Sequence, residues 1–204
     1  MDFFETVNKR GSYRSRFKDI AIPDEDIRKI LGAALKAPSG YNLQSTSFVV
    51  VTDEKLRKQI AELMPSEATE TAPAIIVVVS ERIEADGFCF EIVDYGAAAQ
   101  TLWLAATAMG YATVWMDGDT NTDGNNDKIR EMLNLPAGKT VRTIMPMGIP
   151  EEDVVQNSRK PFEERVSYNH CEQLRYWKMG RFNMPFFFSK LLTVQLLYTL
   201  KWLS

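Results

Sequence analysis

Stretches with apolar residues at helical spacing alternate with short, wholly apolar runs along this chain. Residues 2–9 read as a short helix that stops near Gly11, before a basic segment reaching Arg16. Pro23 opens a second helix, because its fixed φ suits a first turn and Asp24, Glu25 and Asp26 place negative charge where the helix dipole favours it. In that helix Ile27, Ile30, Leu31, Ala34 and Leu35 are spaced to face a core. Phe48 to Val51 predicts the first strand, and Asp53 caps a third helix running to Met64. The unbroken apolar run Ala74 to Val79, after Pro73, predicts a strand covered on both faces.

Glu91 to Met109 carries the longest helical pattern, and Gly110 ends it. Its apolar positions, among them Ile92, Val93, Ala98, Leu102, Trp103 and Ala106, surround the axis, so burial on most sides is expected. Ala112 to Met116 and Arg142 to Ile149 predict two further strands. Between them lie an acidic turn segment, Asp117 to Asp127, and a short helix near Lys128 to Leu133. The order is mixed α and β, without an internal repeat.

Composition narrows the possibilities. The chain has 204 residues, 45% of them apolar and 25% charged, which is ordinary for a soluble domain with a real core. A net charge of −3 argues against a basic field that would hold nucleic acid. Cys89 and Cys171 are too few for a disulfide framework, and His170 is the sole histidine, so no metal site is expected. The opening Met1-Asp2-Phe3-Phe4-Glu5 is acidic where a signal peptide needs a basic start, which makes the cytoplasm the expected location.

The candidate chemistry begins at Ala37-Pro38-Ser39-Gly40-Tyr41-Asn42-Leu43-Gln44, a polar loop between a helix and a β-branched strand. Pro38 stops the helix, Gly40 permits a turn closed to other residues, and Asn42 and Gln44 each offer a donor and an acceptor. Such amides suit the polar edge of a heteroaromatic ring. Taken alone, the loop reads as an ordinary helix-to-strand turn before it reads as a site, because its residues are those any turn would use. Upstream stands Arg10-Gly11-Ser12-Tyr13-Arg14, and downstream Arg159-Lys160-Pro161-Phe162-Glu163-Glu164.

With these segments in this order, joined by Asp94-Tyr95-Gly96-Ala97-Ala98-Ala99-Gln100 and Gly148-Ile149-Pro150, the chain resembles the FMN-dependent nitroreductase family over roughly residues 3 to 170. The resemblance implies an α+β nitroreductase-like fold, with a central, mostly antiparallel sheet flanked by helices, in an intertwined homodimer with FMN at the interface. It implies an FMN-binding domain over residues 1–171. Arg10, Ser12, Arg14 and Arg159 would hold the phosphate and ribityl chain, consistent with the paired, charge-assisted hydrogen bonds that guanidinium groups make to phosphate. Pro38, Ser39 and Gly40 would border the ring, with Asn42 near its polar edge and Gln44 beside it. Backbone N–H groups around Met116, Asp117 and Gly118 would approach the flavin where hydride arrives. Two departures stand out: Ser45-Thr46-Ser47 replaces a segment often aromatic, and Gly11 stands where a second basic residue is frequent.

The activity so implied is a ping-pong transfer of two electrons from NADH or NADPH, through FMN, to a nitro, quinone or related small-molecule acceptor. No side chain need be catalytic, since the cofactor carries the redox chemistry. The lack of a G-x-G-x-x-G fingerprint fits transient nicotinamide binding over a flavin. A dehalogenase-like or flavin-fragmenting enzyme of the same fold, and an FMN-storage protein without turnover, are the alternatives. Residues 172–204 form an apolar extension in which Asn183-Met184-Pro185 starts a helix rich in Phe and Leu. Eighteen helical residues span roughly 27 Å, near a bilayer core, but Lys190 and Lys201 fit an arm on a partner subunit better than a membrane anchor.

Overall fold

The apolar run after Pro73 is the middle of an antiparallel sheet, and its two faces feed two separate cores. The computed structural model describes residues 1–170, which fall into two units dividing after Asn157. In the first unit the order is α1 (Phe3–Lys9), α2 (Asp24–Ala34), a 3-10 turn (Gly40–Asn42), β1 (Thr46–Val51), α3 (Glu54–Leu63), α4 (Glu67–Thr71), β2 (Ala74–Glu81), β3 (Glu84–Ala85), β4 (Phe88–Cys89), α5 (Glu91–Ala108), β5 (Ala112–Thr113), α6 (Asp117–Thr120), α7 (Asn125–Met132) and β6 (Lys139–Gly148). In the second unit, described by itself, α8 (Phe162–Arg165) is a single turn after Pro161. The expected apolar extension, 172–204, lies outside the described residues.

The main sheet has the order β1-β2-β6-β5, every neighbouring pair antiparallel, and Ser12 adds a parallel bridge to Thr113 at the β5 edge. Successive side chains on a strand point to opposite faces. Ile75, Val77 and Val79 therefore join one core, with Ile60 of α3 and Ile129 of α7, while Ile76 and Val78 join the other, with Ile30 of α2 and Leu102 of α5. This is the expectation for an unbroken apolar strand, and the fold is the α+β, mostly antiparallel arrangement that the family resemblance implies. A bulge between Val78 and Val79 shifts the register against β6, where Val78 pairs Thr143 and Val79 pairs Val141, leaving Arg142 as the extra residue. Arg142 then donates to Ser80 at 2.6 Å and pairs with Glu91 at 2.8 Å.

Local signals account for the helix starts. The Asp2 and Asp53 side chains accept from Glu5 N–H and Leu56 N–H, and Ser66 forms a capping box with Thr69. Two expectations are corrected. Leu35 is 64% exposed, because α2 ends at Ala34 and Leu35 falls on its cap. The acidic segment after β5 is not a plain turn, since α6 begins at Asp117, and the strand itself stops at Thr113. The α5 helix is buried or half-buried on most sides, as expected, and in this single chain Ile92 and Val93, in its first turn, are 61% and 69% exposed. Among the described residues, no helix is long and apolar enough to cross a membrane.

Candidate functional site

Helix α5 is the spine to which three of the four predicted segments attach. At its N-terminal end, the buried Asp94 carboxylate accepts from Gly40 N–H at 2.9 Å and from the Ser45 hydroxyl at 2.8 Å. One side chain thus holds both ends of the Pro38 to Gln44 loop. Within the loop, the Ser39 hydroxyl accepts from Gln44 N–H at 3.0 Å, and Leu43 N–H donates to Gly40 C=O at 3.0 Å. Tyr41, Asn42 and Gln44 have φ of 51°, 56° and 50°, a left-handed conformation that non-glycine residues seldom adopt. Gly40 has negative φ but is required for another reason. A Cβ there would lie 2.2 Å from the Phe90 ring.

One residue beyond Asp94, the Tyr95 hydroxyl donates to Asp117 Oδ1 at 3.2 Å and fixes the second predicted segment. Burial, with the Asp117 carboxylate beside it, pushes the Tyr95 phenol above its ordinary pKa. Met116 N–H donates to Ile144 C=O at 3.2 Å and is committed to the sheet. Asp117 and Gly118 open α6, where first-turn N–H groups have no intrahelical acceptor. Asn121 donates to Asp117 C=O at 2.8 Å and to Arg142 C=O at 3.0 Å, tying this turn to the bulge.

Farther along α5, the Arg10 guanidinium lies 4.7 Å from the Trp103 ring centroid, a cation–π contact. Arg10 is the C-terminal cap of α1, and its carbonyl accepts from Gln156 at 2.8 Å. Tyr13 is buried beside Phe17, and its N–H donates to Thr113 C=O at 3.1 Å. This anchor leaves Arg14 exposed and Ser12 half-buried on either side of it. Arg159 lies in the second unit, where it donates to Ser158 C=O at 3.4 Å, and is described there alone.

A cleft of about 150 Å³ opens at the loop, lined by Pro38, Ser39, Gln44, Thr46, Asp94 and Ala98 among others. Thr46 lines this cleft, and its hydroxyl is buried without a hydrogen-bond partner. Buried polar atoms are rarely left unsatisfied, so an orphan here asks for a ligand group. Exposed amides at Asn42 and Gln44, an unpaired hydroxyl, and two arginines with a serine on one segment form a donor set that fits a flavin mononucleotide.

Four residues had no assigned role at the level of sequence: Asp94, Tyr95, Phe90 and Trp103. The available signal was the Asp94-Tyr95-Gly96 segment, which shares in the family resemblance without a role of its own.

The fold is thus a four-stranded antiparallel sheet with a polar loop, a helix-opening strand end and an arginine segment all attached to one helix. The profile of the Nitroreductase family matches residues 7–70 and 62–149, and the chain belongs to that family. It is similar to the NADPH-flavin oxidoreductase of Vibrio harveyi, with 30% identity over 183 residues, covering 83% of this chain and 75% of that one. The structure of the Vibrio harveyi NADPH:FMN oxidoreductase complexed with NAD+ matches with a TM-score of 0.72 and 27% identity, over 83% of this chain and 78% of the other. A nitroreductase family protein from Clostridium novyi matches with a TM-score of 0.67 and 30% identity, over 74% and 87%.

Proposed function

We propose that this oxidoreductase carries two electrons from NADH or NADPH to a nitro, quinone or related small-molecule acceptor, in two half-reactions at one FMN site. The observation that carries the reading is the shared attachment of loop, strand end and arginine segment to α5, beside a buried hydroxyl with no partner. Bound FMN supplies the hydride chemistry. The chain supplies charge, hydrogen bonds and shape.

Arg10, Ser12 and Arg14 bind the phosphate and ribityl chain, and Arg10 is oriented by the Trp103 face. Pro38, Ser39 and Gly40 border the ring, and Asn42 and Gln44 offer amide groups to its polar edge. The N–H groups of Asp117 and Gly118 face the reacting side, where donors stabilise developing negative charge. Met116 contributes position more than a donor, because its N–H is already bonded to Ile144.

A cleft of about 150 Å³ is smaller than the ~300 Å³ at which small-molecule pockets usually begin. The homodimer with FMN at the interface is the arrangement that the family resemblance implies. Exposed Ile92 and Val93 on α5 are suited to such an interface. Cytoplasmic placement fits the reducing chemistry proposed. Steady-state oxidation of NADPH and NADH with a quinone acceptor tests the reading; flavin binding without turnover would favour a storage protein instead.

A further inference from the structure

We propose that Asp94 is the positioning residue of this site: its carboxylate sets the shape of the loop that borders the flavin ring, an inference resting on the FMN reading above. The two hydrogen bonds it accepts come from Gly40 and Ser45, far from it in sequence. The left-handed residues Tyr41, Asn42 and Gln44 all lie between those two clamps. Conformations of this kind persist only where the surroundings over-determine them. Other bonds help, but the Ser39 and Gly40 acceptors are inside the loop and cannot fix it to the scaffold. Asp94 does so, because it is 4% exposed and built into the first turns of α5. The Ser45 hydroxyl is equally buried, and its carbonyl accepts from Glu81 N–H at 2.9 Å, so the second clamp is also locked to β2.

The consequence concerns the ring and not the phosphate. Removing the carboxylate frees the loop that carries Asn42 and Gln44, while Arg10 and Arg14 stand on a different segment, held to α5 and β5. Loss of Asp94 should therefore weaken FMN and riboflavin by the same factor.

The test uses the full chain with Asp94→Ala and, should that variant not fold, Ser45→Ala, which removes one clamp only. Hydrogen exchange of the flavin-free protein reads the loop directly: faster exchange at Gly40, Asn42 and Gln44, with the sheet unchanged, is expected. Titration with FMN and with riboflavin should give dissociation constants raised about tenfold for both, the scale of losing a hydrogen bond to a charged group. Asn42→Ala should weaken FMN in the wild-type background and have almost no further effect on Asp94→Ala, whereas Arg14→Ala should add in full. A merely destabilising role would not produce that difference. Unchanged loop exchange, a changed FMN-to-riboflavin ratio or full additivity with Asn42→Ala each overturns the inference. Failure of the wild type to bind either flavin overturns the FMN reading, and with it the proposed role toward the ring, while the exchange result still reports on the clamp.

Discussion

Gly40 and Phe90 are interlocked: a Cβ on Gly40 would meet the Phe90 ring at 2.2 Å and the Phe90 Cβ at 2.7 Å. The glycine is needed for close approach, and its neighbour Tyr41 packs against the same ring with centroids 5.9 Å apart. Gly40→Ala should cost about 1–3 kcal/mol, the usual range for forced overpacking, read from urea unfolding. The double variant Gly40→Ala, Phe90→Ala should recover part of that loss. Equal stabilities for Gly40→Ala and the double variant would deny the clash.

Arg14 and Arg16 are both exposed, and only Arg14 is assigned to the phosphate. Arg14→Ala should weaken FMN by about tenfold, as expected for one lost charge-assisted hydrogen bond, and leave riboflavin unaffected. Arg16→Ala should change neither. Isothermal titration with both ligands decides between the two arginines.

Much of the fold was legible because its signals are long or physically unambiguous. The unbroken apolar β2 run, the capping Asp53 and the C-terminal Gly110 each have one mechanism, and each stands where expected. Short elements were not legible: α4 and α6 are single turns, whose stability comes from packing instead of pattern. The loop's left-handed residues were equally hidden, since Tyr41, Asn42 and Gln44 are not glycines and local sequence does not require that conformation. Asp94 stood in the sequence only as part of a family-like segment. Its role depends on Gly40 and Ser45, which only the tertiary fold brings to it.

The Arg142 side chain, placed by the β-bulge, pairs with Glu91 at 2.8 Å; the two side chains are 19% and 11% exposed. Glu91 Oε2 has no hydrogen-bond partner. Arg142→Ala leaves that carboxylate buried and uncompensated, so a loss of about 3–5 kcal/mol is expected. Removing the charge as well, in Arg142→Ala with Glu91→Gln, should be less destabilising than Arg142→Ala alone. Chemical denaturation of the three proteins measures the difference.

Tyr111 donates to Asp26 at 2.6 Å, joining the end of α5 to α2. Burial, then the hydrogen bond and charge of Asp26, push its phenol up to about 12. The folded state therefore holds this proton more tightly than the unfolded chain, whose tyrosine titrates near ~10. The resulting stability is complete below pH ~10 and is lost as pH rises through about 12. The stability gap between wild type and Tyr111→Phe should accordingly shrink across that alkaline window, as followed by urea midpoints. A gap that stays constant across it would contradict the assignment.

The most direct test of the central claim is the visible spectrum of the purified full chain after FMN addition and removal of free flavin, followed by NADH or NADPH without oxygen. The FMN site predicts a retained flavin absorbance that bleaches with at least one nicotinamide and returns when a quinone is added. A colourless protein, or a flavin band that neither nicotinamide bleaches, would contradict it.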